Sequence, residues 1–185
     1  LANQMLHRPV EVDISPEAPT TNRIEQYIAF VQKADKRQLL IDLIEGQMVA
    51  CGIVFTRTKH GANRLAKQLS KVGIPSDSIH GDKSQTARTR ALNAFRNGDV
   101  FILVATDIAS RGIDVEDITH VFNFDLPNEP EVYIHRIGRT ARAGRDGLAY
   151  SFCDETESGY LVGIQRLLGE EIEVLEDQPY HFEKA

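Results

Sequence analysis

Short apolar runs alternate along this chain with longer amphipathic stretches, and that alternation restricts the possible folds more than any other feature of the sequence. Cys51–Phe55 and Phe101–Ala105 are nearly unbroken apolar runs, the kind a strand needs when both of its faces are buried. Gln26–Val31, Ser76–His80, Thr119–Phe124 and Leu148–Cys153 read as further strands. Between them, Leu39, Leu40, Leu43 and Ile44 recur at helical spacing in a segment that starts at Lys36 and ends near Gly46. A second helix runs through Ala62, Leu65, Ala66 and Leu69 and stops at Gly73, a third spans Ser84 to Phe95 before Asn97-Gly98, and a last one covers Tyr160 to Leu168. Strands alternating with helices of this length predict an α/β fold, a parallel β-sheet with helices on both faces. Residues 1–22, with Pro9, Pro16 and Pro19, sustain no helical period and read as a lead-in or linker. The domain is expected over residues 23–169, and residues 170–185 read as an acidic extension that either adds a last strand or lies extended.

In parallel sheets ligands sit outside the carboxyl ends of the strands, so the loops there are the places to look for function. Thr58 can cap the helix that follows Phe55, and a capped N-terminus beside Lys59 suits a phosphate, or is a plain cap. His80 to Arg88 forms a Gly turn feeding a helix that bears Lys83, Gln85 and Arg88. Ala105 to Asp114 places an Arg111-Gly112 pair and a carboxylate after the most apolar strand, where Gly lets a ligand approach the backbone. The densest stretch is His135 to Arg142. Read as a helix starting between Glu129 and Val132, its ~100° step per residue puts His135, Arg139 and Arg142 on one face and Tyr133, Ile137 and Ala141 on the other. Guanidinium forks at that spacing suit phosphate oxygens, and the ligand expected is a nucleoside triphosphate. Taken singly, each of these residues also fits a bland role as a solvated arginine or a turn residue.

In order and spacing these stretches resemble the second RecA-like lobe of the DEAD-box RNA helicases of superfamily 2, across about residues 24–168. Ile53 to Lys59 resembles motif IV, His80 to Arg88 motif IVa, Val104 to Asp114 motif V, and His135 to Arg142 motif VI. The wording of Phe55 to Asn63 is similar to the bacterial RhlE group. The resemblance implies that Arg139 and Arg142 approach the γ-phosphate of ATP, with Arg142 as arginine finger. It implies that Asp114 and Gly112 bind the nucleotide, that Arg111 and His135 help join two lobes around it, and that Thr58, Gly81, Arg88 and Thr106 hold the backbone of single-stranded RNA. One departure stands out: Ala141 occupies a position where the family motif usually has Gly, which on a helical reading implies a slightly firmer helix.

No GxxxxGK[ST] loop and no Asp-Glu-Ala-Asp tetrad occurs in the chain. In the family these belong to a first lobe that would precede Leu1 and would hold Mg2+, so the chain is expected to be part of a longer protein and inactive alone. No metal site is expected within it. The net charge of −6 is uneven: residues 1–153 carry 19 Lys and Arg against 18 Asp and Glu, and residues 154–185 carry 2 against 9. A near-neutral body can therefore present a local basic groove. Cys51 and Cys153 stand alone within apolar runs and read as thiols of a reduced, cytoplasmic protein. No run approaches the ~20 residues of a membrane span, and Leu1 does not begin a signal-peptide layout. Two other readings remain: a stand-alone module that grips RNA or protein without chemistry, and a lobe of a DNA-directed superfamily 2 helicase.

Overall fold

The computed structural model describes residues 23–110, 113, 115, 117–142 and 144–182. Seven strands, β1 (Ile24–Phe30), β2 (Gly52–Phe55), β3 (Ser76–Ile79), β4 (Ile102–Ala105), β5 (His120–Asn123), β6 (Gly147–Cys153) and β7 (Glu173–Val174), form one sheet in the order β3-β4-β2-β5-β6-β1-β7. Every strand pairing in it is parallel. The helices are α1 (Lys36–Gly46), α2 (Lys59–Lys71), α3 (Gln85–Arg96), α4 (Asp107–Ser110), α5 (Pro130–Ile137) and α6 (Ser158–Leu168). The four-residue α4 falls within a stretch that the sequence pattern reads as loop. Such a short turn carries no apolar period to announce it. The acidic end supplies β7, which pairs with β1 through Tyr27 and Ile28.

Strand β4 shows why a continuous apolar run is needed. Its residues are fully buried, and they alternate: Leu103 and Ala105 pack with Ala91 and Phe95 of α3, Tyr133 and Ile137 of α5 and Ile164 of α6, whereas Ile102 and Val104 pack with Leu39 and Leu40 of α1 and Leu65 and Leu69 of α2. Each large side chain so buried contributes roughly 1.5–3 kcal/mol relative to exposure. On the α1–α2 face a run of rings crosses three strands: Tyr27 stacks on Tyr150 at 5.3 Å, Tyr150 on Phe122 at 5.7 Å, and Phe122 on His120 at 6.0 Å between centroids.

A buried charge cluster closes the carboxyl edge of the sheet. Lys36 opens α1 yet is only 1% exposed, with its ammonium 2.5 Å from Glu157 Oε2 and 3.1 Å from Asp154 Oδ2. Glu157, equally buried, turns Oε1 to the Arg57 guanidinium at 2.8 Å and to the Leu126 backbone N–H at 3.1 Å. Arg57 in turn lies 5.4 Å over the Tyr160 ring. One carboxylate thus ties together α1, the loop after β2, the loop after β5 and the start of α6, with its acceptor positions taken by donors as a buried carboxylate requires.

Candidate functional site: two cation clusters on the carboxyl edge

The four residues expected to face RNA lie at or near the ends of three neighbouring strands. Thr106 follows β4 and its backbone N–H bonds Ile79 of β3 at 3.3 Å, while Thr56, after β2, bonds Ala105 of β4 at 3.0 Å. Thr58 is exposed, and its hydroxyl accepts from the Gly61 N–H at 3.0 Å, so it does cap α2. Lys59 meets Asp82 at 2.5 Å, which joins the loop after β2 to the loop after β3. Arg88 on α3 reaches the Ala109 carbonyl of α4 at 3.4 Å. Gly81 is exposed, and a Cβ built there meets nothing within 4 Å, so its backbone is open to an approaching ligand. Beside it lies a residue that pattern reading leaves without a role. His80 is 4% exposed, and neither ring nitrogen has a hydrogen-bond partner among the described residues. Burial, helped by the Lys83 ammonium, holds its pKa below the ordinary histidine value, so the ring is neutral.

The second cluster differs from its sequence-based picture. Helix α5 ends at Ile137 and is capped by Gly138, so Arg139 and Arg142 lie beyond it and the single helical face expected through Arg142 is corrected. Tyr133 and Ile137 point into the core as expected, and His135 is exposed on the helix. What places the two arginines is the turn that follows. Thr140 is buried and donates to the Ile118 carbonyl at 2.6 Å. Gly147, the first residue of β6, packs so closely that a Cβ there would lie 2.4 Å from the Thr140 side chain and 2.8 Å from the Ala141 nitrogen.

Ala141 itself has φ +56°, in the left-handed region. The expectation of a firmer helix from this alanine is therefore reversed. The position needs a conformation that costs an L-residue roughly 1–2 kcal/mol and costs Gly little, which accounts for the family's Gly there. Ala141→Gly is expected to stabilise the chain by about 0.5–1 kcal/mol, the strain relieved less the ~0.4–1 kcal/mol of extra unfolded-state entropy. The midpoint of urea denaturation measures it. A lower midpoint would contradict the strain.

Arg139 and Arg142 have no carboxylate partner among the described residues. Arg142 donates through Nε to the Gly138 carbonyl at 3.1 Å, and its terminal nitrogens meet no acceptor among the described residues. Arg139 is half-buried and makes only a long contact of 3.5 Å to the Ile113 carbonyl. Its Nε is buried with no acceptor. Burial and the neighbouring Arg142 pull the Arg139 guanidinium below its ordinary range. A buried donor without an acceptor beside a second cation suits an anion, and a cavity of about 260 Å3 lined by Asp107, Ser110, His135, Arg136 and Arg139 opens there. Arg111, Gly112 and Asp114 lie outside the described residues.

Sequence reading also passes over Arg136, which joins the two clusters. It is 2% exposed and grips Asp107 with both arms of its fork, at 2.6 and 2.9 Å. It also donates to Asn123 Oδ1 at 3.2 Å and to the Asp125 carbonyl at 2.7 Å, and lies 5.1 Å over the Phe55 ring. A signal for it existed: on the helical wheel Arg136 sits beside Tyr133 on the apolar face, where a charge requires a partner. Because Asp107 directly follows Thr106, the strand-end residues and the arginine turn are fixed to one frame.

Among the described residues no group of three or more His, Cys, Asp or Glu could hold a metal ion, and no helix is long and apolar enough to cross a membrane.

Residues 35–144 match the helicase conserved C-terminal domain. The chain is 42% identical over 166 residues to the DEAD-box ATP-dependent RNA helicase CshA of Geobacillus kaustophilus, covering 90% of the chain and 36% of that protein. It therefore spans about a third of the length of the curated relatives it matches. Among solved structures, E. coli DEAD-box protein SrmB, bound to the regulator of ribonuclease activity A, superposes with a TM-score of 0.82 at 36% identity, over 88% of this chain and 96% of that one. S. cerevisiae Dbp5 bound to RNA and ADP BeF3 superposes with a TM-score of 0.76 at 36% identity, over 83% of this chain and 41% of that one.

Proposed function

The chain belongs to the helicase conserved C-terminal domain family, in the form that DEAD-box RNA helicases carry, and we propose that it is the second RecA-like lobe of an ATP-dependent RNA helicase. In this reading residues 23–169 are the lobe, residues 1–22 lead from a first lobe of the same polypeptide, and residues 170–185 are an acidic extension. The observation that carries the reading is the Arg139 and Arg142 pair. Among the described residues neither has a carboxylate partner; Arg139, with a buried Nε lacking an acceptor, lines a cavity that Arg136 fixes to the strand ends beside it, and Arg142 follows it in the same turn.

The first lobe supplies the phosphate loop and the carboxylates for Mg2+; this chain offers no such cluster among its described residues. Arg139 and Arg142 then neutralise charge on the transferring γ-phosphoryl group as the lobes close, and Arg142, anchored through Nε and with no acceptor at its terminal nitrogens among the described residues, is the finger. His135 and Arg111 bridge to the first lobe, and Asp114 with Gly112 holds the nucleotide. Thr58, Arg88, Thr106 and the backbone at Gly81 hold sugar and phosphate of a single RNA strand. Such contacts position a strand without reading it, so sequence preference is weak. The wording of Phe55 to Asn63 supports a place beside the RhlE group, although the curated relative described above is a CshA protein. Cys51, whose thiol burial pushes up to about 11, and the buried Cys153 support a reduced, cytoplasmic setting.

The test is ATP hydrolysis by the 185-residue chain alone and by the same chain joined to a DEAD-box first lobe, each with and without single-stranded RNA. No turnover alone and RNA-dependent turnover when joined are expected. Robust turnover by the chain alone would overturn the division of the active site between two lobes. Matched RNA and DNA strands in the same assay separate an RNA enzyme from a DNA one through the 2′-OH.

A further inference from the structure

A cleft of about 410 Å3 lies between the start of α1 and the first turns of α2, beside the site described above. Lys33, Arg37, Arg57 and Arg64 line it. Lys33, Arg37 and Arg64 are exposed and form no ion pair among the described residues. Of the nearby carboxylates, Glu157 is paired with Lys36 and Arg57, and Asp125, itself a wall of the cleft, accepts from the Arg57 backbone N–H at 2.8 Å and sets one acidic group against the three exposed cations. In a chain of net charge −6, this leaves a concentrated positive field in a concave surface, where low-dielectric walls focus it on a polyanion.

Two further observations select the polyanion. Thr58, one of the residues proposed to hold RNA, is also a wall of this cleft, so a strand held at Thr58 already lies at its edge. Phe124, half-buried with its ring edge-on to Phe152, lines the cleft as well and puts an aromatic side chain, the residue type on which bases stack, at its wall. We propose that the cleft between α1 and α2 extends the RNA track past Thr58, with Arg37, Arg64 and Lys33 binding the phosphates that follow. This rests on the RNA-binding reading above and adds to it a second segment of the path.

The experiment uses the 185-residue chain and fluorescence anisotropy with labelled hexauridylate and dodecauridylate over a salt series. The dodecamer is expected to bind several-fold tighter, with a log–log salt slope steeper by about 2, taking ~0.7 for each of the three phosphates held by Arg37, Arg64 and Lys33. The double variant Arg37→Glu, Arg64→Glu is expected to bring the dodecamer back to the affinity and slope of the hexamer, while hexamer binding stays within twofold. Both positions are exposed and unpaired, and an unchanged thermal melt confirms that the variant is folded.

A dodecamer whose affinity and slope survive the double charge reversal would overturn the extension while leaving the track itself intact. If polyglutamate binds and the double variant loses it, while the dodecamer gains nothing over the hexamer, the cleft docks protein and the proposal is overturned. Arg88→Ala is the control for the underlying reading. If neither oligonucleotide responds to it, the track near Thr58 fails, and the extension fails with it.

Discussion

Arg142→Ala, in a two-lobe protein that carries this chain as its second lobe, is expected to lower kcat for RNA-stimulated ATP hydrolysis on the order of 10³-fold or more, the range of arginine fingers in other phosphoryl-transfer enzymes. The expectation follows from how the side chain is held. Its Nε is anchored on the Gly138 carbonyl, so the guanidinium is oriented by backbone and its terminal nitrogens need no search for their ligand. Nothing in that arrangement touches Thr58, Arg88 or Thr106, so RNA affinity is expected to stay within twofold. Arg142→Lys keeps the charge and loses both the Nε anchor and the fork, and should recover only a small part of the rate. Single-turnover hydrolysis with saturating ATP and RNA separates the chemical step from binding. Wild-type turnover in Arg142→Ala would remove Arg142 from the mechanism.

Glu157→Ala is expected to destabilise the chain by about 3 kcal/mol, the lower end of the ~3–5 kcal/mol seen when one member of a buried ion pair is removed. Lys36 would be left 1% exposed with Asp154 as its remaining partner, the Leu126 N–H would lose its acceptor, and Arg57 would lose its carboxylate and keep the Leu126 carbonyl. Asp154 can compensate in part. Burial pushes its carboxyl up, yet the Thr156 hydroxyl and the Lys36 ammonium together hold it below the ordinary range, so it stays ionised at neutral pH. Against a typical domain stability of ~5–15 kcal/mol the loss is large, and the urea midpoint measures it directly. The double change Glu157→Leu, Lys36→Met removes the closest ion pair and should restore only part of that stability, because Asp154 then loses its ammonium and the Leu126 N–H and Arg57 still lack the carboxylate. A single variant as stable as the parent would show that the cluster contributes nothing.

The strands and most helices were legible because their signals are local. β4 reads from its own four residues, and α2 from the spacing of Ala62, Leu65, Ala66 and Leu69 together with the cap at Thr58. The end of α5 was misread because the cation spacing continues past it in helical register to Arg142, and only Gly138 marks the stop. The departure at Ala141 was visible, but its sign depends on φ, which a wrong helix boundary inverted. Lys36 looked like an ordinary charged residue at a helix start because its partners, Asp154 and Glu157, lie far along the chain. Arg139 and Arg142 stand out in the sequence by their spacing, but that neither has an acid partner among the described residues does not. That Arg136 binds Asp107, and thereby ties them to the strand ends, needed coordinates.

The place of β1 in the sheet has a consequence for how the chain is made. Ile24 pairs with Gly147 and Phe30 with Cys153, and on its other side Tyr27 and Ile28 pair with Glu173 and Val174, so the first strand has both of its neighbours in the last fifth of the molecule. During synthesis β2 can already pair with β4 and then β5 while β1 waits, exposing Ile28 and Ala29, until β6 leaves the ribosome. Such long-range closure is slow, so a nascent chain stalled before Gly147 holds an unpaired apolar strand of the kind that chaperones exist to shield.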